Sequence, residues 1–479
     1  MKKKLLFLSL PLVIFVTATS GQLQLQQPNG KTISTASIDI TIKQLMDTAE
    51  VMGLCLGIIT DNKIAYLKTY GYKNKERDEL IDTATCFYAA SLAKPLFTYL
   101  VMQLVDKGVI DLNKPLYQYL PRPLPEYGDY KDLAGDERWK MITGRHCLSH
   151  TTGFPNWRWA NPNGNKKLEI FFTPGSRYAY SGEGLVLLQM VIEAITGSSL
   201  EELARKIIFG PFGMTRTSFL WQPSFETNYA IGYDMNGAPL KKSKRTKANA
   251  AGSMETTIAD YTRFIEAVMQ GKDLTSKSKQ EMLSPQIGIF TKRQFPSLNN
   301  DTTEDNKKIQ LSYGLGWGLF NSPYGKAFFK EGHDEGWEHY SLHFPDKKIS
   351  VIIFTNSSNG ESIFKELVEK ITGVTMPWEW EGYAPYRATV KLPEEFLKKF
   401  TGVYDGEKLQ ATITLVNGRL KVESEKAGLP KTNLYAQNEH HFFLKVMDAD
   451  LEFVKGTDGK IEKVIVDDEG ERYELKKIK

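Results

Sequence analysis

The sequence predicts an α/β fold whose sheet is completed by distant parts of the chain, followed by a small all-β domain. Strand patterns at residues 53–71 and 339–356 flank a long stretch with helical periodicity. A proline- and aromatic-containing segment, 374–390, has no periodicity, and we expect the domain boundary there. Beyond it, short alternating strands are separated by turn signals such as Asn417-Gly418. The 479 residues and 41% hydrophobic content are sufficient for two or three packed domains.

The first residues have the layout of a secretory signal peptide. Three lysines precede an apolar run from Leu5 to Val16, which is shorter than the roughly 20 residues needed to span a membrane. We therefore expect cleavage near Ser20 or Gly21, with residues 1–21 as the signal peptide. The mature protein would be exported to the periplasm or secreted, without a stable membrane anchor. Loss of the three lysines lowers the formal charge from +4 to +1, so net charge gives no support for nucleic-acid binding.

The stretch "FYAASLAKPLFTYL" combines a serine with a lysine three residues later. Ser91 and Lys94 would share one helical face, within reach of each other. A serine is a weak nucleophile until a base removes its proton, and a lysine can be that base if burial lowers its pKa. Pro95 is tolerated only in a first helical turn, which puts the helix start at or just before Ser91. An ordinary helix start is the alternative, because this spacing is common.

Two further stretches supply candidates for the same chemistry. In "PGSRYAYSGEG", Tyr180 stands before an apolar helix and could relay a proton, although a capping loop with packed aromatics is the alternative. In "EGHDEGWEHYSLHF", His333 stands in a glycine-containing strand entry, where backbone N–H groups can approach a ligand closely. The spacing of His333, His339 and His343 is unsuited to a metal site, because these residues fall on a loop and a strand.

Eight segments of the chain, taken in order, resemble the serine beta-lactamase-like family, which includes class C beta-lactamases, penicillin-binding carboxypeptidases, D-aminopeptidases and family VIII esterases. The segments are "FYAASLAK", "LVDKGVIDLNKPLYQYLP", "HCLSHTTGFPNW", "PGSRYAYSGEG", "FGPFGMTRTSF", "AAGSMETTIADYTRFI", "YGLGWGL" and "EGHDEGW". The resemblance implies an antiparallel sheet flanked by helices, with an all-helical subregion, over residues 22–380. The tail, 390–479, resembles more weakly the small β-barrel domains of exported relatives.

Carried over by position, the resemblance implies that Ser91 is the acylated nucleophile and Lys94 its base or proton relay. Tyr180 matches the catalytic tyrosine, and His333 opens the motif that is Lys-Thr-Gly or His-x-Gly in relatives. The oxyanion donors would be the backbone N–H groups of Ser91 and Gly336. The implied mechanism proceeds through an acyl-enzyme and needs neither a metal nor a cofactor.

Two departures from the family pattern affect the expected substrate. Relatives have Tyr-x-Asn where this chain has Gly182, so a substrate-binding amide is missing. Glu335 stands where the third motif's glycine would be, unless the register is shifted by one residue, and it would disfavour a carboxylate in the site unless its side chain points away. We therefore predict an exported, cofactor-independent serine hydrolase acting on small esters or D-amino-acid peptides, with the cell wall as one source of substrate. The alternatives are a catalytically degenerate cell-wall-binding protein and a weak beta-lactamase.

Overall fold

The structure of the protein is a computed structural model. The residues that it describes are 23–235, 237–383, 389–444, 447, 449–468 and 470–479. The predicted signal peptide therefore lies outside the described residues, as does part of the predicted boundary segment.

A central antiparallel sheet joins strands from both ends of the first domain. The strands before residue 356 are β1 (Gln24–Gln26), β2 (Thr32–Ser34), β3 (Gly53–Thr60), β4 (Lys63–Asn74), β5 (Glu79–Leu80), β6 (Phe87–Tyr88), β7 (Glu255–Thr256), β8 (Ile287–Gly288), β9 (Ser312–Tyr313), β10 (Gly318–Ser322), β11 (Gly325–Asp334), β12 (Trp337–Phe344) and β13 (Ile349–Thr355). Among the described residues, nine of them form one sheet in the order β5-β4-β3-β13-β12-β11-β10-β9-β8. Because β3 pairs with β13, the predicted completion of the sheet by distant segments is confirmed.

Helices cover both faces of this sheet. In the first domain the helices are α1 (Thr35–Ala49), α2 (Ala93–Asp106), α3 (Gly144–Leu148), α4 (Gly182–Thr196), α5 (Leu200–Ala204), α6 (Ile258–Gln270), α7 (Ser276–Met282), α8 (Phe364–Thr372) and α9 (Trp378–Glu381). Helix α10 (Glu394–Leu397) packs instead on the C-terminal strands. Helices α2 to α7 include the predicted all-helical subregion, whereas α1 and α8 pack together on the opposite face. Within the described part of the chain no single helix is long and apolar enough to cross a membrane, and only α4 with the bent continuation to Phe209 meets that test as a pair.

Strand β3 shows why the sheet is buried on both sides. Its sequence, "GLCLGIIT", is almost continuously apolar, and successive side chains point to opposite faces. Cys55 and Ile59 pack with helices α2, α4 and α6, whereas Leu54, Leu56 and Ile58 pack with α1 and α8. Full burial of each aliphatic side chain contributes about 1.5 to 3 kcal/mol. The apolar run therefore places β3 in the middle layer of the domain, between the two layers of helices.

The C-terminal segment forms a closed antiparallel barrel. Its strands are β14 (Gly402–Asp405), β15 (Gln410–Val416), β16 (Arg419–Ser424), β17 (Leu429–Ala436), β18 (His441–Phe443), β19 (Ala449–Lys455), β20 (Ile461–Asp468) and β21 (Glu471–Lys477). The barrel has its own core, in which Phe400, Phe442 and Phe453 meet. Arg419 forms an ion pair with Glu50 of the first domain at 3.0 Å. The barrel-like prediction for this part of the chain is confirmed.

Candidate active site

Ser91 lies in a single helical turn, Ala90–Leu92, that leads directly into α2. Ala90 has a φ of +45°, which is costly for a residue with a side chain. This turn leaves Ser91 partly exposed at the floor of a cleft. No described residue accepts a hydrogen bond from the Ser91 backbone N–H group, so that group is free to bind an oxyanion.

Lys94 is placed to accept the proton of Ser91. Its Nζ lies 2.8 Å from Ser91 Oγ and donates a hydrogen bond to the Ala251 carbonyl at 2.6 Å. The side chain is buried, and burial lowers the pKa of the Lys94 ammonium. A neutral amine can donate to Ala251 while its lone pair accepts the serine proton. The predicted Ser91–Lys94 contact is present.

Tyr180 lies between two lysines. Lys94 Nζ is 5.0 Å and Lys330 Nζ is 4.8 Å from the centre of its ring. Burial acts to raise the pKa of the Tyr180 phenol, but the nearby positive charges of Lys330 and Lys94 outweigh it and lower that pKa. The His150 ring packs against the Tyr180 ring in a tilted arrangement, with ring centres 4.2 Å apart, and helps to hold the tyrosine in position. Tyr180 is therefore suited to relay a proton.

Lys330 is a functional candidate that the sequence analysis missed. Its Nζ donates a hydrogen bond to Glu331 Oε1 at 2.7 Å, and Gln294 donates to the same oxygen at 2.9 Å. Burial acts to lower the pKa of Lys330, but the Glu331 carboxylate outweighs it and raises that pKa. Lys330 is therefore a fixed positive charge beside Tyr180.

The register predicted for the third motif was wrong. We expected it to begin at His333, but the structure brings Lys330, Glu331 and Gly332 to the site. An added Cβ at Gly332 would lie 2.9 Å from the Ala89 carbonyl oxygen, so β11 passes against the Ser91 turn at this residue. Strand β10 pairs only with residues 325–329, which leaves the edge of β11 at residues 330–334 free to face that turn. The pattern Lys-x-Gly, three residues before His333, was the signal in the sequence.

The residues that we predicted by starting the third motif at His333 make contacts that do not serve catalysis. The Gly336 backbone N–H donates to Ser358 Oγ at 2.7 Å and is therefore not available as the predicted oxyanion donor. Glu335 lies on the exposed turn after β11 and lines an adjoining cavity of about 300 Å³, which shares Tyr88, Arg245 and Asp334 with the Ser91 cleft. Glu335 is exposed and does not line the Ser91 cleft itself, so solvent weakens the predicted repulsion of substrate carboxylates.

His333 lies at the rim of the cleft, with 68% of its side chain exposed. Its Nδ1 is 2.7 Å from Glu338 Oε2 and 3.6 Å from Glu361 Oε2. The charge of Glu338, with a smaller contribution from Glu361, raises the pKa of His333 to about 11. Ligand atoms of these three residues lie within 4.8 Å of one another, and His333 Nδ1 already contacts Glu338. We interpret the group as an ion pair rather than a catalytic or metal-binding site.

Gly182 is explained by its neighbour Trp157. An added Cβ at Gly182 would lie 2.6 Å from the Trp157 ring, so the indole occupies the space of the missing asparagine side chain. The Gly182 backbone N–H donates to the carbonyl of Asn156 at 3.0 Å and to its Oδ1 at 3.1 Å. Gly182 is thus a close-packing position rather than a direct substrate contact. Trp157 and Asn156 line the cleft instead.

The cleft has a volume of about 750 Å³, within the range of small-molecule and peptide sites. Ser91, Lys94 and Tyr180 lie at its floor, and its walls include aromatic side chains together with Arg245 and Lys247. A larger cavity of about 1110 Å³, lined by Trp380 and other residues, contains none of the three floor residues. The chemistry is therefore assigned to the cleft that contains Ser91.

The fold and this constellation of a serine, a lysine and a tyrosine define a serine hydrolase class. Residues 38–373 match the family model described as Beta-lactamase, and the chain belongs to that family. It is 25% identical over 450 residues to penicillin-binding protein 4* of Bacillus subtilis, covering 85% of this chain and 91% of the relative. It is also 24% identical over 308 residues to a beta-lactamase of Pseudomonas fluorescens, covering 62% of this chain and 77% of the relative.

Solved structures agree on the fold. The octameric penicillin-binding protein homologue from Pyrococcus abyssi has a TM-score of 0.60 at 21% identity, covering 92% of this chain and 100% of that chain. The D-alanine carboxypeptidase AmpC from Burkholderia cenocepacia has a TM-score of 0.54 at 20% identity, covering 67% and 93%. SurE, solved with D-Leu, has a TM-score of 0.54 at 19% identity, covering 92% and 99%. The predicted family and fold class are confirmed.

Proposed function

We propose that this protein is an exported serine hydrolase that forms an acyl-enzyme on Ser91 with small esters or D-amino-acid peptides. The observation that carries the proposal is the 2.8 Å contact between Ser91 Oγ and the Nζ of the buried Lys94, whose pKa is lowered. A buried lysine without its own carboxylate partner stabilises the fold poorly, but it is well suited to act as a base.

The proposed reaction follows from the positions of these groups. Lys94 accepts the Ser91 proton as Oγ attacks the substrate carbonyl carbon. The Ser91 N–H and the free edge of β11 stabilise the resulting oxyanion, and loss of one such donor typically costs about 3 to 4 kcal/mol. The leaving group then departs with a proton delivered through Tyr180. A water molecule, losing its proton to the same groups, attacks the ester carbonyl and regenerates Ser91 with release of the acid.

The preference for esters and D-peptides over beta-lactams rests on Gly182 and Trp157. No side-chain amide is available at Gly182, and the indole fills that volume. A similar solved structure is described as a D-alanine carboxypeptidase, and another contains D-Leu. These descriptions support a substrate with a D-amino acid, and the N-terminal signal-peptide pattern supports access to cell-wall peptides outside the cytoplasm.

The test is the intact mass of residues 22–479 after brief exposure to a small activated ester and, separately, to a penicillin. We expect the wild-type protein to gain the mass of the acyl group, and we expect no such gain in the Ser91→Ala protein. The ester adduct should decay quickly and the penicillin adduct slowly. Absence of an adduct with either reagent would contradict the proposal and favour the degenerate binding protein. Rapid turnover of the penicillin would favour a beta-lactamase.

A further inference from the structure

The basic segment "KKSKRTK", residues 241–247, is divided by the fold into side chains with different surroundings. Lys242 is buried and forms an ion pair with the fully buried Glu255 at 2.7 Å. Lys244 lies on the surface and pairs with Glu226 at 2.7 Å. Arg245 instead lines the Ser91 cleft. A run that could have been a uniformly solvated loop therefore delivers one guanidinium to the active site.

Arg245 is held in place without using its hydrogen-bond donors. Its guanidinium carbon lies 3.5 Å from the centre of the Tyr88 ring, which is a stacking contact. The closest carboxylate oxygens are Glu255 Oε1 at 3.7 Å and Asp334 Oδ2 at 3.8 Å, both beyond hydrogen-bonding distance. Across the described residues, nothing accepts a hydrogen bond from this guanidinium. Its fork of N–H groups is oriented and available.

The charges around Arg245 favour an anionic ligand. Glu255 is already neutralised by Lys242, and the Asp334 side chain is 52% exposed, so water weakens its hold on Arg245. Lys247 adds a second positive charge to the same cleft. A carboxylate matches the planar fork of an arginine and can form two parallel hydrogen bonds with it.

The position of Arg245 indicates which part of a substrate it reaches. Strand β11 runs past Ser91, with Lys330 at the end near Tyr180 and Asp334 at the end near Arg245. Four residues of strand separate these ends by about 13 Å. The leaving group must lie near Tyr180 to receive its proton, so the opposite end receives the acyl part. Lys330 is already paired with Glu331, which weakens its attraction for a substrate carboxylate at that end of the strand.

We propose that Arg245 binds a carboxylate on the acyl part of the substrate. The enzyme therefore prefers esters and amides whose acyl chain carries a second, free acid group. The inference rests on the proposed hydrolase function and adds the charge of its substrate. Arg245 acts as a specificity-determining residue rather than as part of the proton relay.

The test uses two p-nitrophenyl esters of equal chain length, the hexanoate and the adipate monoester, which differ by a terminal carboxylate. The enzymes are the wild type, Arg245→Gln, Arg245→Lys and the surface control Lys244→Gln. Because charge-assisted hydrogen bonds are strong, we expect Arg245→Gln to lower kcat/KM for the adipate ester about tenfold or more, mainly through KM. Turnover of the hexanoate should change less than about twofold. Arg245→Lys should be intermediate because it keeps the charge but loses the fork, and Lys244→Gln should resemble the wild type.

Each outcome decides a different point. If the wild type and Arg245→Gln each hydrolyse the two esters at equal rates, and these activities depend on Ser91, the carboxylate site is overturned and the hydrolase function is left intact. An equal loss for both esters in Arg245→Gln would also overturn it, because it would indicate a structural role. Absence of Ser91-dependent turnover of either ester would overturn the proposed function and the inference that rests on it. Thermal unfolding of the variants identifies any general loss of the fold.

Discussion

Two buried lysines approach Tyr180 from different elements, and their surroundings shift their pKa values in opposite directions. Lys94, on helix α2, contacts a hydroxyl and a carbonyl, so burial dominates and lowers its pKa. Lys330, on strand β11, contacts the Glu331 carboxylate, which raises its pKa despite equal burial. The residue type and the burial are the same, and the partner decides the charge. One lysine can therefore act as a base while the other supplies a fixed positive charge.

The largest expected effect comes from changing the helix side of this comparison. Lys94→Met removes the proposed base and should lower kcat/KM for an activated ester by about a thousandfold. Lys94→Arg keeps a positive charge but cannot accept a proton at neutral pH, so it should be nearly as inactive. The measurement is ester hydrolysis with Ser91→Ala as the baseline. An active Lys94→Arg protein would contradict the base role and indicate that only charge is needed.

On strand β11, Glu331→Gln should leave Lys330, like Lys94, buried without a carboxylate partner. Without the carboxylate, a fully buried ammonium loses its compensating charge, so the pKa of Lys330 should fall and the free energy of unfolding should decrease by about 3 kcal/mol. Urea unfolding measures the change. The matched control is Glu304→Gln, which breaks an exposed pair with Lys307 and should cost less than about 1 kcal/mol. Similar losses in both variants would contradict the buried-pair interpretation.

The double variant Lys330→Met/Glu331→Gln removes both charges, so no uncompensated ion remains in the core. Loss of the Lys330 charge should raise the pKa of Tyr180 and that of Lys94, and this effect should outweigh the smaller, opposite effect of losing the Glu331 charge. Whichever group is the base, its proton-accepting form then appears at higher pH. We expect the acidic limb of the pH profile of kcat/KM to move to higher pH. An unchanged limb would show that Lys330 does not tune the proton relay.

Local patterns in the sequence were sufficient to predict the helix-side groups. The Ser91–Lys94 spacing and the position of Pro95 specify a helical turn, and the structure has the predicted contact. The strand side depends on which residues of β11 meet the Ser91 turn, and that register is set by pairing with β12 and by the close approach at Gly332. Because His333 stands in a glycine-rich strand entry, we predicted that the third motif begins there, three residues after its actual start at Lys330. The stacking of Arg245 on Tyr88 is also a tertiary contact that no local pattern encodes.

Another charged group, His333, lies three residues along β11, and there we expect the smallest effect. The carboxylates of Glu338 and Glu361 raise the pKa of His333 to about 11, above the unfolded value of about 6.5. Because the folded state binds the proton more tightly, this stabilisation is complete below about pH 6.5 and is lost as pH rises through about 11. His333→Gln should therefore lower the free energy of unfolding near pH 6 and have a diminishing effect towards pH 11. The loss should remain below about 1 kcal/mol, since the ring is largely exposed and screened by solvent. Unfolding in urea across this pH range tests the expectation, and a difference that grows with pH would contradict a charged His333.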